Sequence, residues 1–464
     1  MGDFWNINHA PANVAFIENG DEFTYGLLEK DIAMAAKNFD SQQKKLVFLA
    51  CKNTYSSIVI YLAALKTRQT VCLLPTGMET ELFRNLIDTY QPDWIFAPQE
   101  ELSEVSGYER KASVLYYCTW ESLNENQSEN LYAELAVLLS TSGTTGSPKM
   151  VRLSYTNLSA NAESIKEYLE ISNTDRPITT LPMQYSYGLS VINSHLLAGS
   201  SIVLSDDAVI SKSFWEKINE HSVTSLAGVP YTYQMLHRLG FKNMELPSVK
   251  KMTQAGGRLA DNLQEYFAEA CSEKNISFFI MYGQTEATAR ISYLPPAQLS
   301  AKRGSIGIPI PGGKLYTDSN HELIYEGKNV MLGYATSKQE LSLPDENLGV
   351  LRTGDIATVD ADGYYFITGR LKRFIKLFGL RINLDDVEKT MENLFKTRFL
   401  CIGNDEHLYL VSEKEDILQE AKKEVLRLYK LHHSVVRTSH IQEIPVLDSG
   451  KVDYHKLSVK VGIR

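Results

Sequence analysis

Apolar residues recur at two spacings along the first part of the chain. In residues 23–39 they recur at helical spacing, whereas residues 46–51 and 70–74 are short apolar runs typical of buried strands. The same alternation continues through further apolar runs at residues 178–181 and 278–282. Strands that alternate with helices predict mostly parallel sheets covered by helices. The pattern therefore predicts a large α/β fold.

The pattern changes twice in the last third of the chain. After about residue 301, Gly-rich turns and short runs predict a small antiparallel β region. Beyond residue 369 a basic stretch leads into the helices and strands of a small α+β unit. We therefore predict an N-terminal domain of residues 1–368 and a mobile C-terminal domain of residues 369–464.

The composition narrows the class of protein. The 464 residues include 47 Lys plus Arg and 56 Asp plus Glu, a formal net charge of −9, and 44% of them are hydrophobic. This composition is typical of a soluble globular protein, and the acidic balance argues against nucleic acid or an anionic membrane as a partner. The five cysteines are scattered and odd in number, which favours neither a disulfide framework nor a cysteine metal site. With no basic and apolar leader and no apolar run of about 18 residues, we expect a cytoplasmic protein.

The strongest local signal is the segment S-T-S-G-T-T-G-S-P-K at residues 140–149. Glycines let backbone N–H groups approach an anion, hydroxyls donate hydrogen bonds and Lys149 adds positive charge, so the segment suits a polyphosphate. It is not a Walker A loop, because Pro148 precedes the lysine and residues 150–155 predict a strand where a P-loop has a helix. For this segment alone, a solvated Ser/Thr/Gly hairpin is the alternative.

Two further segments supply groups that suit a nucleotide. Y-G-Q-T-E at residues 282–286 places Thr285 and Glu286 at the carboxyl end of a predicted strand, where open α/β sheets bind ligands. A carboxylate beside a phosphate loop is a natural ligand for Mg²⁺. R-T-G-D at residues 352–355 supplies an acid for ribose hydroxyls, and Arg370 supplies a guanidinium. Each segment alone is also typical of a turn with a surface charge.

Taken in order, these segments resemble the adenylate-forming superfamily, which comprises acyl-CoA synthetases, peptide-synthetase adenylation domains and luciferases. The resemblance includes G-S-I-G-I-P-I-P-G, G-R-L-K-R-F-I-K-L-F-G-L-R-I and, near the end, S-G-K-V-D at residues 449–453. It implies ATP-dependent activation of a carboxylic acid to an acyl-adenylate, release of pyrophosphate and transfer of the acyl group to a thiol, most simply that of coenzyme A. One alternative is a ligase that loads the phosphopantetheine of a separate acyl carrier protein. A nucleotide-binding homologue without catalytic activity is an alternative of a different class.

The resemblance also implies which residues bind the nucleotide. The β- and γ-phosphates would be held by the phosphate loop through Thr141, Ser142, Gly143, Thr144, Thr145, Gly146 and Lys149. Thr285 would hold the α-phosphate and Glu286 the Mg²⁺. The residues that match segments around adenine and ribose are Gly256, Gly257, Tyr282, Gly283, Asp355 and Arg370.

Three residues of the C-terminal part match positions that act after the nucleotide is bound. Lys451 matches the catalytic lysine, whose ammonium would bridge the attacking carboxylate and the α-phosphate. Lys372 matches the hinge about which the C-terminal domain rotates between the two half-reactions. Gly379 lies where the rotated domain would let a pantetheine arm pass. A plain basic surface is the alternative for Lys372 and its neighbours Arg373 and Lys376.

The acid pocket is outlined by the same resemblance. Its predicted lining is Tyr185, Tyr187, Gly188, Gly228, Val229, Pro230, Tyr231 and Ala255. Tyr185 stands where amino-acid-activating members carry Asp, so an amino-acid substrate is disfavoured. The tyrosines favour an aromatic or hydroxylated acid, since phenols supply apolar faces and hydrogen bonds, with core packing as the alternative. His432 and His433 stand where many members have a Tyr-Met-Val-Pro stretch, which leaves the thiol acceptor open.

Overall fold

Two compact units make up the chain. The computed structural model describes residues 3–39, 43–101, 104–124, 131–140, 149–371, 373–377, 380–404, 406–429, 431–447 and 451–462. One unit is Met1–Lys314 with Glu326–Leu351, and the other is Leu315–Tyr325 with Arg352–Arg464. The second unit thus includes strands that precede residue 369. The boundary at residues 368/369, which was placed where the sequence pattern changes, stays a prediction beside these two units.

The helices occur in both units. In the described residues they are α1 Tyr25–Ala36, α2 Tyr55–Lys66, α3 Thr80–Tyr90, α4 Tyr155–Tyr168, α5 Ser186–Ala198, α6 Lys212–Glu220, α7 Pro230–Arg238, α8 Asp261–Glu273, α9 Leu384–Phe395, α10 Leu418–Tyr429 and α11 Tyr454–Val461. None of these helices is long and apolar enough to cross a membrane, as far as the described part of the chain goes.

The strands are mostly short. They are β1 Val14–Glu18, β2 Asp21–Thr24, β3 Leu46–Cys51, β4 Thr70–Pro75, β5 Trp94–Pro98, β6 Tyr108–Val114, β7 Tyr117–Ser122, β8 Leu135–Ser140, β9 Met150–Ser154, β10 Ile202–Leu204, β11 Ser225–Gly228, β12 Lys251–Gln254, β13 Ser277–Tyr282, β14 Ser292–Leu294, β15 Ile308–Pro309, β16 Lys314–Thr317, β17 Glu322–Glu326, β18 Gly333–Ala335, β19 Val350–Val359, β20 Tyr365–Arg370, β21 Phe374–Leu377, β22 Leu380–Asn383, β23 Leu400–Gly403, β24 Leu408–Ser412 and β25 Val436–His440.

Three sheets form the frame of the first unit. An eight-stranded sheet has the order β18-β9-β8-β4-β3-β5-β7-β6, with a parallel centre of β8, β4, β3 and β5. A five-stranded sheet has the order β11-β12-β13-β14-β15, of which the first three strands are parallel. A small third sheet has the order β10-β1-β2. The predicted α/β fold of helix-covered, mostly parallel sheets is confirmed.

Helix α2 lies in the core of the first unit. Every residue from Tyr55 to Leu65 is buried, as expected for a helix that is apolar on all sides. It belongs to one apolar cluster with strands β3, β4 and β8 and with helices α1, α4 and α5. Thr54 begins the helix, because its side chain accepts a hydrogen bond from the backbone N–H of Ser57.

The second unit consists of smaller sheets and helices. It contains the sheet β16-β17-β19-β20, the hairpin β21-β22 and the sheet β23-β24-β25. Helices α9 and α10 bury their apolar faces in a cluster with strands of the last two sheets. The predicted small α+β unit is therefore present.

Two predicted elements differ in the structure. The helix predicted at residues 23–39 begins only at Tyr25, because Thr24 ends strand β2 and caps the helix by accepting from the N–H of Leu27 at 3.2 Å. The strand predicted at residues 178–181 was wrong, since only an isolated bridge joins Ile178 to Val203. Pro177 and Pro182 flank that segment and have no N–H to donate to a ladder.

Candidate active site

The loop after strand β13 carries two of the predicted catalytic residues. The chain doubles back there, and the N–H of Ile291 donates to the carbonyl of Tyr282 at 2.9 Å. The turn is too tight for a side chain at Gly283, where a Cβ would collide with the carbonyl oxygen of Ala289. A short 3-10 turn, Thr285–Ala287, lies inside the loop. Thr285 and its neighbour Glu286 therefore follow the carboxyl end of a parallel strand, as the sequence predicts.

Glu286 forms a cluster with one tyrosine and one lysine. The hydroxyl of Tyr334 on strand β18 donates to Glu286 Oε1 at 2.8 Å. Lys149 Nζ lies 3.3 Å from the centre of the same tyrosine ring, within the range of a cation–π contact. Burial and the charge of Glu286 raise the pKa of Tyr334, which therefore stays a neutral hydrogen-bond donor. The carboxylate predicted to hold Mg²⁺ and the lysine predicted to hold phosphate thus contact the same tyrosine.

Tyr334 was not predicted from the sequence. It lies in the short segment G-Y-A, which contains no motif, and its partner Glu286 is 48 residues earlier in the chain. Strand β18 pairs with β9, with Tyr334 opposite Val151. This pairing brings Tyr334 beside the strand that follows the phosphate loop, and a single sequence does not show such a pairing.

Thr285 meets the first residue of helix α5. Thr285 Oγ1 and Ser186 Oγ are 3.2 Å apart. Tyr185, which precedes the helix, makes no side-chain capping bond, so the first N–H groups of the helix are left for other acceptors. Two hydroxyls and a helix N-terminus together suit an anionic oxygen.

Several residues of the predicted acid pocket and of the adenine segment lie against one another. Gly256 has φ of +82°, and a Cβ there would lie 2.7 Å from the hydroxyl of Tyr185 and 3.0 Å from Val229 Cγ1. A Cβ on Gly257 would lie 3.2 Å from Pro230 Cγ. These glycines therefore let the strand ends approach closely. In the same place the N–H of Ala255 donates to the carbonyl of Gly228 at 3.2 Å.

Other predicted pocket residues have different surroundings. Tyr187 is buried and its hydroxyl donates to the carbonyl of Thr253 at 2.9 Å. A Cβ on Gly188 would collide with the carbonyl of Pro182, so this glycine allows helix α5 to pack closely on that loop. Tyr231 is 46% exposed on helix α7, and no described contact joins it to the other predicted pocket residues.

Arg290 is a second residue that was not predicted from the sequence, and it lies beside Tyr187. Its side chain is buried, and its guanidinium carbon lies 3.9 Å from the ring centre of Tyr187. It follows the Thr285–Ala287 turn in the chain and precedes strand β14. No sequence signal separates a buried arginine from a surface one at this position.

A family model described as AMP-binding enzyme matches residues 4–335. The chain belongs to the AMP-binding enzyme family. This match confirms the predicted membership of the adenylate-forming superfamily, and it extends over both predicted nucleotide-binding segments of the first unit.

Relatives of this AMP-binding enzyme are named as ligases. It is 25% identical over 405 residues to a D-alanine–D-alanyl carrier protein ligase of Staphylococcus epidermidis, which covers 84% of this chain and 82% of that protein. It is 25% identical over 504 residues to a 2-succinylbenzoate–CoA ligase of Staphylococcus aureus, which covers 98% and 99%. The predicted enzyme class, an AMP-forming ligase, is confirmed. The names of these relatives include both of the acceptors considered from the sequence, coenzyme A and a carrier protein.

Solved structures share the fold of this AMP-binding enzyme. O-succinylbenzoate coenzyme A synthetase from Bacillus subtilis in complex with AMP superposes with a TM-score of 0.76 at 22% identity, covering 96% of this chain and 95% of that one. The same synthetase in complex with ATP and magnesium ion gives a TM-score of 0.74 at 21% identity, covering 97% of each chain.

In the second unit of this AMP-binding enzyme, Asp355 and Arg370 are cross-strand neighbours. They lie opposite each other on β19 and β20, and Arg370 Nε donates to Asp355 Oδ1 at 3.0 Å. Asp355 is buried, whereas the Arg370 side chain is 62% exposed. The pair is therefore set as predicted for an acid with a guanidinium beside it.

Lys451 and Arg373 have contrasting positions in the same unit. Lys451 is half-buried, and its carbonyl accepts from the N–H of Leu447 at 2.8 Å, which ties it to the strand-like segment before it. Arg373 is not the surface residue of the alternative interpretation, since it pairs with Asp385 and Glu388 and donates to the carbonyl of Cys401 at 2.7 Å. The remaining predicted residues lie outside the described part of the chain, namely Thr141, Ser142, Gly143, Thr144, Thr145, Gly146, Lys372 and Gly379.

Proposed function

We propose that this chain is an ATP- and Mg²⁺-dependent ligase that couples a carboxylic acid to a thiol through an acyl-adenylate. The observation that carries the proposal is the cluster of Glu286, Tyr334 and Lys149, in which Glu286 directly follows Thr285 in the chain. Family membership supports it, and so does the ATP- and magnesium-bound structure that shares the fold.

The first half-reaction joins two anions. A carboxylate oxygen of the acid attacks the α-phosphorus of ATP, and the bond from that phosphorus to the β-phosphate oxygen breaks, so that pyrophosphate leaves. Lys149 would offset charge on the β- and γ-phosphates and Thr285 would donate to the α-phosphate. Such fixed donors stabilise the charge that develops in the transition state.

Glu286 has the chemistry of a magnesium ligand. It is a carboxylate that shares Tyr334 with Lys149, and Tyr334 fixes one of its oxygens by a hydrogen bond. Mg²⁺ prefers one or two carboxylates together with phosphate oxygens. When bound, the ion would neutralise phosphate charge.

The second unit would supply the remaining groups. Asp355 would accept from the ribose hydroxyls, with Arg370 beside it, and Lys451 would bridge the attacking carboxylate and the α-phosphate. Lys372 would act as the hinge of a C-terminal domain of residues 369–464, and Gly379 would line the thiol path. In the second half-reaction the thiol sulfur attacks the acyl carbon, AMP leaves and the thiol proton passes to solvent.

A labelled-pyrophosphate exchange assay tests the first half-reaction. The acids tested form a library that includes 2-succinylbenzoate and D-alanine, the acids in the names of two relatives. We expect exchange of labelled pyrophosphate into ATP with at least one acid of the library, and only when Mg²⁺ is present. Lys451→Ala should lower exchange by at least about 100-fold, because a fixed charge at the reacting atoms is lost, while ATP binding is retained. Lys460→Ala on the same C-terminal segment is the matched control and should exchange normally.

Two results would contradict the proposal. Normal exchange in Lys451→Ala would remove that lysine from the chemistry. Silence of the unmodified enzyme with every acid, despite measured ATP binding, would favour a nucleotide-binding homologue without catalytic activity.

The acceptor is the finer part of the proposal. We propose coenzyme A, with a separate acyl carrier protein as the alternative, since relatives of both kinds are 25% identical to this chain. Preformed acyl-adenylate is supplied with either coenzyme A or a phosphopantetheine-bearing carrier protein. Thioester formed only with the carrier protein would replace coenzyme A in the proposal.

A further inference from the structure

Arg290 is a buried cation whose donors are not all used. Its side chain is 1% exposed, and neither Nε nor Nη1 has a hydrogen-bond partner. Among the residues that the structure describes, its guanidinium contacts the Tyr187 ring and the Tyr168 hydroxyl and forms no ion pair. Arginine does not lose its charge at any pH that a protein survives, so the charge must be stabilised by other groups.

Tyrosines are the described groups around this guanidinium. The Tyr187 ring lies against it at 3.9 Å, and the Tyr187 hydroxyl is already directed to Thr253. Burial raises the pKa of Tyr185 and of Tyr168 to about 12, and in both the charge of Arg290 opposes the rise. All three tyrosines are therefore neutral, and none supplies a negative charge to Arg290.

Contact with an aromatic ring does not replace an anion. A cation–π contact offsets only part of the cost of removing a guanidinium from water, and a buried charge is normally paired. Arg152, which is equally buried in the same unit, has a carboxylate partner in Glu346 and donates to backbone carbonyls. Compared with Arg152, Arg290 lacks an anionic partner among the described residues.

The position of Arg290 points to the acid substrate as the source of that anion. Tyr185 and Tyr187 belong to the predicted acid pocket, and the Tyr185 hydroxyl lies against Gly256 at the strand ends. The reacting carboxylate already has charge partners in the proposed mechanism, namely Lys451 and the ion held by Glu286. In the described residues no hydrogen bond joins Arg290 to Thr285 or Glu286, so Arg290 is not part of that set.

We propose that Arg290 binds a second carboxylate of the acid, which makes the substrate a dicarboxylic acid. This inference rests on the proposed function, since it assigns one end of the acid to Arg290 and the other to the α-phosphate. Hydrogen bonds from a guanidinium to a carboxylate are charge-assisted and strong. A pocket with a buried unpaired cation therefore selects against acids whose far end is neutral.

The test compares matched acids in enzyme variants. The probes are isophthalate and benzoate, and a series from succinate to suberate in which each member is paired with its monoamide. In the unmodified enzyme we expect at least one dicarboxylate to exceed its neutral partner by about 10- to 100-fold in kcat/KM for pyrophosphate exchange. Arg290→Met should remove that preference, and Arg290→Lys should restore part of it because the charge is kept without the planar donors.

Arg176→Met is the matched control. Arg176 is a partly buried arginine of the same unit whose Nη1 donates to the carbonyl of His221 at 2.6 Å, and it has no part in the proposed site. The Arg176→Met enzyme should prefer dicarboxylates as strongly as the unmodified enzyme does. A preference lost in both variants would mean general disturbance of the unit and would overturn the assignment to Arg290.

Calorimetric binding of the same probes without ATP separates this inference from the proposed function. Binding of a dicarboxylate that Arg290→Met loses supports the anion site even if no acid supports exchange, in which case only the ligase proposal fails. The inference is overturned if no dicarboxylate binds or exceeds its neutral partner. Equal loss of kcat/KM for both members of a pair in Arg290→Met also overturns it, since Arg290 would then serve the reacting carboxylate.

Discussion

Two fully buried arginines of the first unit have opposite surroundings. Arg152 on strand β9 is 0% exposed, and its Nε donates to the carbonyl of Tyr334 at 3.0 Å. Its other nitrogens donate to the carbonyls of Leu343 and Pro344 and pair with Glu346. Arg290 is 1% exposed and leaves Nε and Nη1 without partners.

The difference shows how a buried charge is assigned a role. Arg152 has partners from strand β18 and from the segment after it, so it connects three parts of the chain. Gly333 leaves the space for this ion pair, since a Cβ there would collide with the Glu346 carboxylate and lie 2.7 Å from Arg152 Nη2. A buried guanidinium whose donors all have partners within the protein stabilises the fold. A buried guanidinium with donors that lack partners is better explained by the binding of a ligand.

The first prediction compares the stabilities of two variants. Arg152→Met should lower the free energy of unfolding by about 3–5 kcal/mol, because several buried carbonyls and Glu346 lose their donor. Arg290→Met should change it by less than about 1 kcal/mol or raise it, since an unpaired buried charge is replaced by an apolar chain. Urea unfolding followed by tryptophan fluorescence measures this, because Trp5, Trp94, Trp120 and Trp215 are all in the first unit.

Glu346→Gln is the control for that comparison. Glu346 is 50% exposed, but its partner Arg152 is fully buried. Glu346→Gln leaves the backbone hydrogen bonds of Arg152 in place and removes only the carboxylate, so it should lower the free energy of unfolding by about 1–3 kcal/mol, less than Arg152→Met does. A loss in Arg290→Met as large as that in Arg152→Met would make both arginines structural and remove the contrast.

The elements that the sequence predicted well are those with a local cause. The apolar run at residues 46–51 is strand β3 and is buried throughout, and residues 150–154 form the strand that excludes a Walker A loop. Residues 178–181 were mistaken for a strand because apolar content alone does not show that two prolines limit pairing. The cap at Thr24, which begins helix α1, was also missed.

The candidate site was predicted where a motif fixes it and missed where long-range packing fixes it. Thr285 and Glu286 are at the end of a strand, as motif and topology imply. Tyr334 reaches Glu286 only through the pairing of β18 with β9, and Arg290 is distinguished only by its burial. Neither strand pairing nor burial of a single polar residue can be derived from one sequence.

The second prediction concerns His195, a buried base that, unlike either arginine, can become neutral by losing its proton. Burial lowers the pKa of His195 on helix α5 from its ordinary 6.5 to about 4, and its Nδ1 lies 2.8 Å from the carbonyl of Val191. Since the unfolded chain binds a proton near pH 6.5 and the folded chain only near pH 4, stability is lost as the pH falls between these values. The loss is about 1.4 kcal/mol for each pH unit, or about 3 kcal/mol in all.

Unfolding of the unmodified protein and of His195→Gln from pH 8 to pH 4 isolates this contribution. The difference between the two proteins should change in favour of the variant only below about pH 6.5. Because Asp175 and Lys251 also act on the pKa of His195, both are left in place. Parallel pH profiles would show that the folded and the unfolded chain protonate His195 at the same pH, and the contrast with the arginines would not hold.

The third prediction has the smallest expected effect and concerns Tyr334, where the structural arginine meets the candidate site. Arg152 donates to the backbone carbonyl of Tyr334, and the hydroxyl of Tyr334 positions Glu286. Tyr334→Phe keeps the backbone contact and the ring beneath Lys149 but removes the hydroxyl, so we expect the apparent Mg²⁺ affinity in pyrophosphate exchange to fall by about 10-fold. The rate at saturating Mg²⁺ should change little, because no group at the reacting atoms is removed. Tyr116→Phe, an exposed tyrosine on the surface, is the control, and a Mg²⁺ dependence in Tyr334→Phe equal to that of the control would mean that the hydroxyl does not act on the ion.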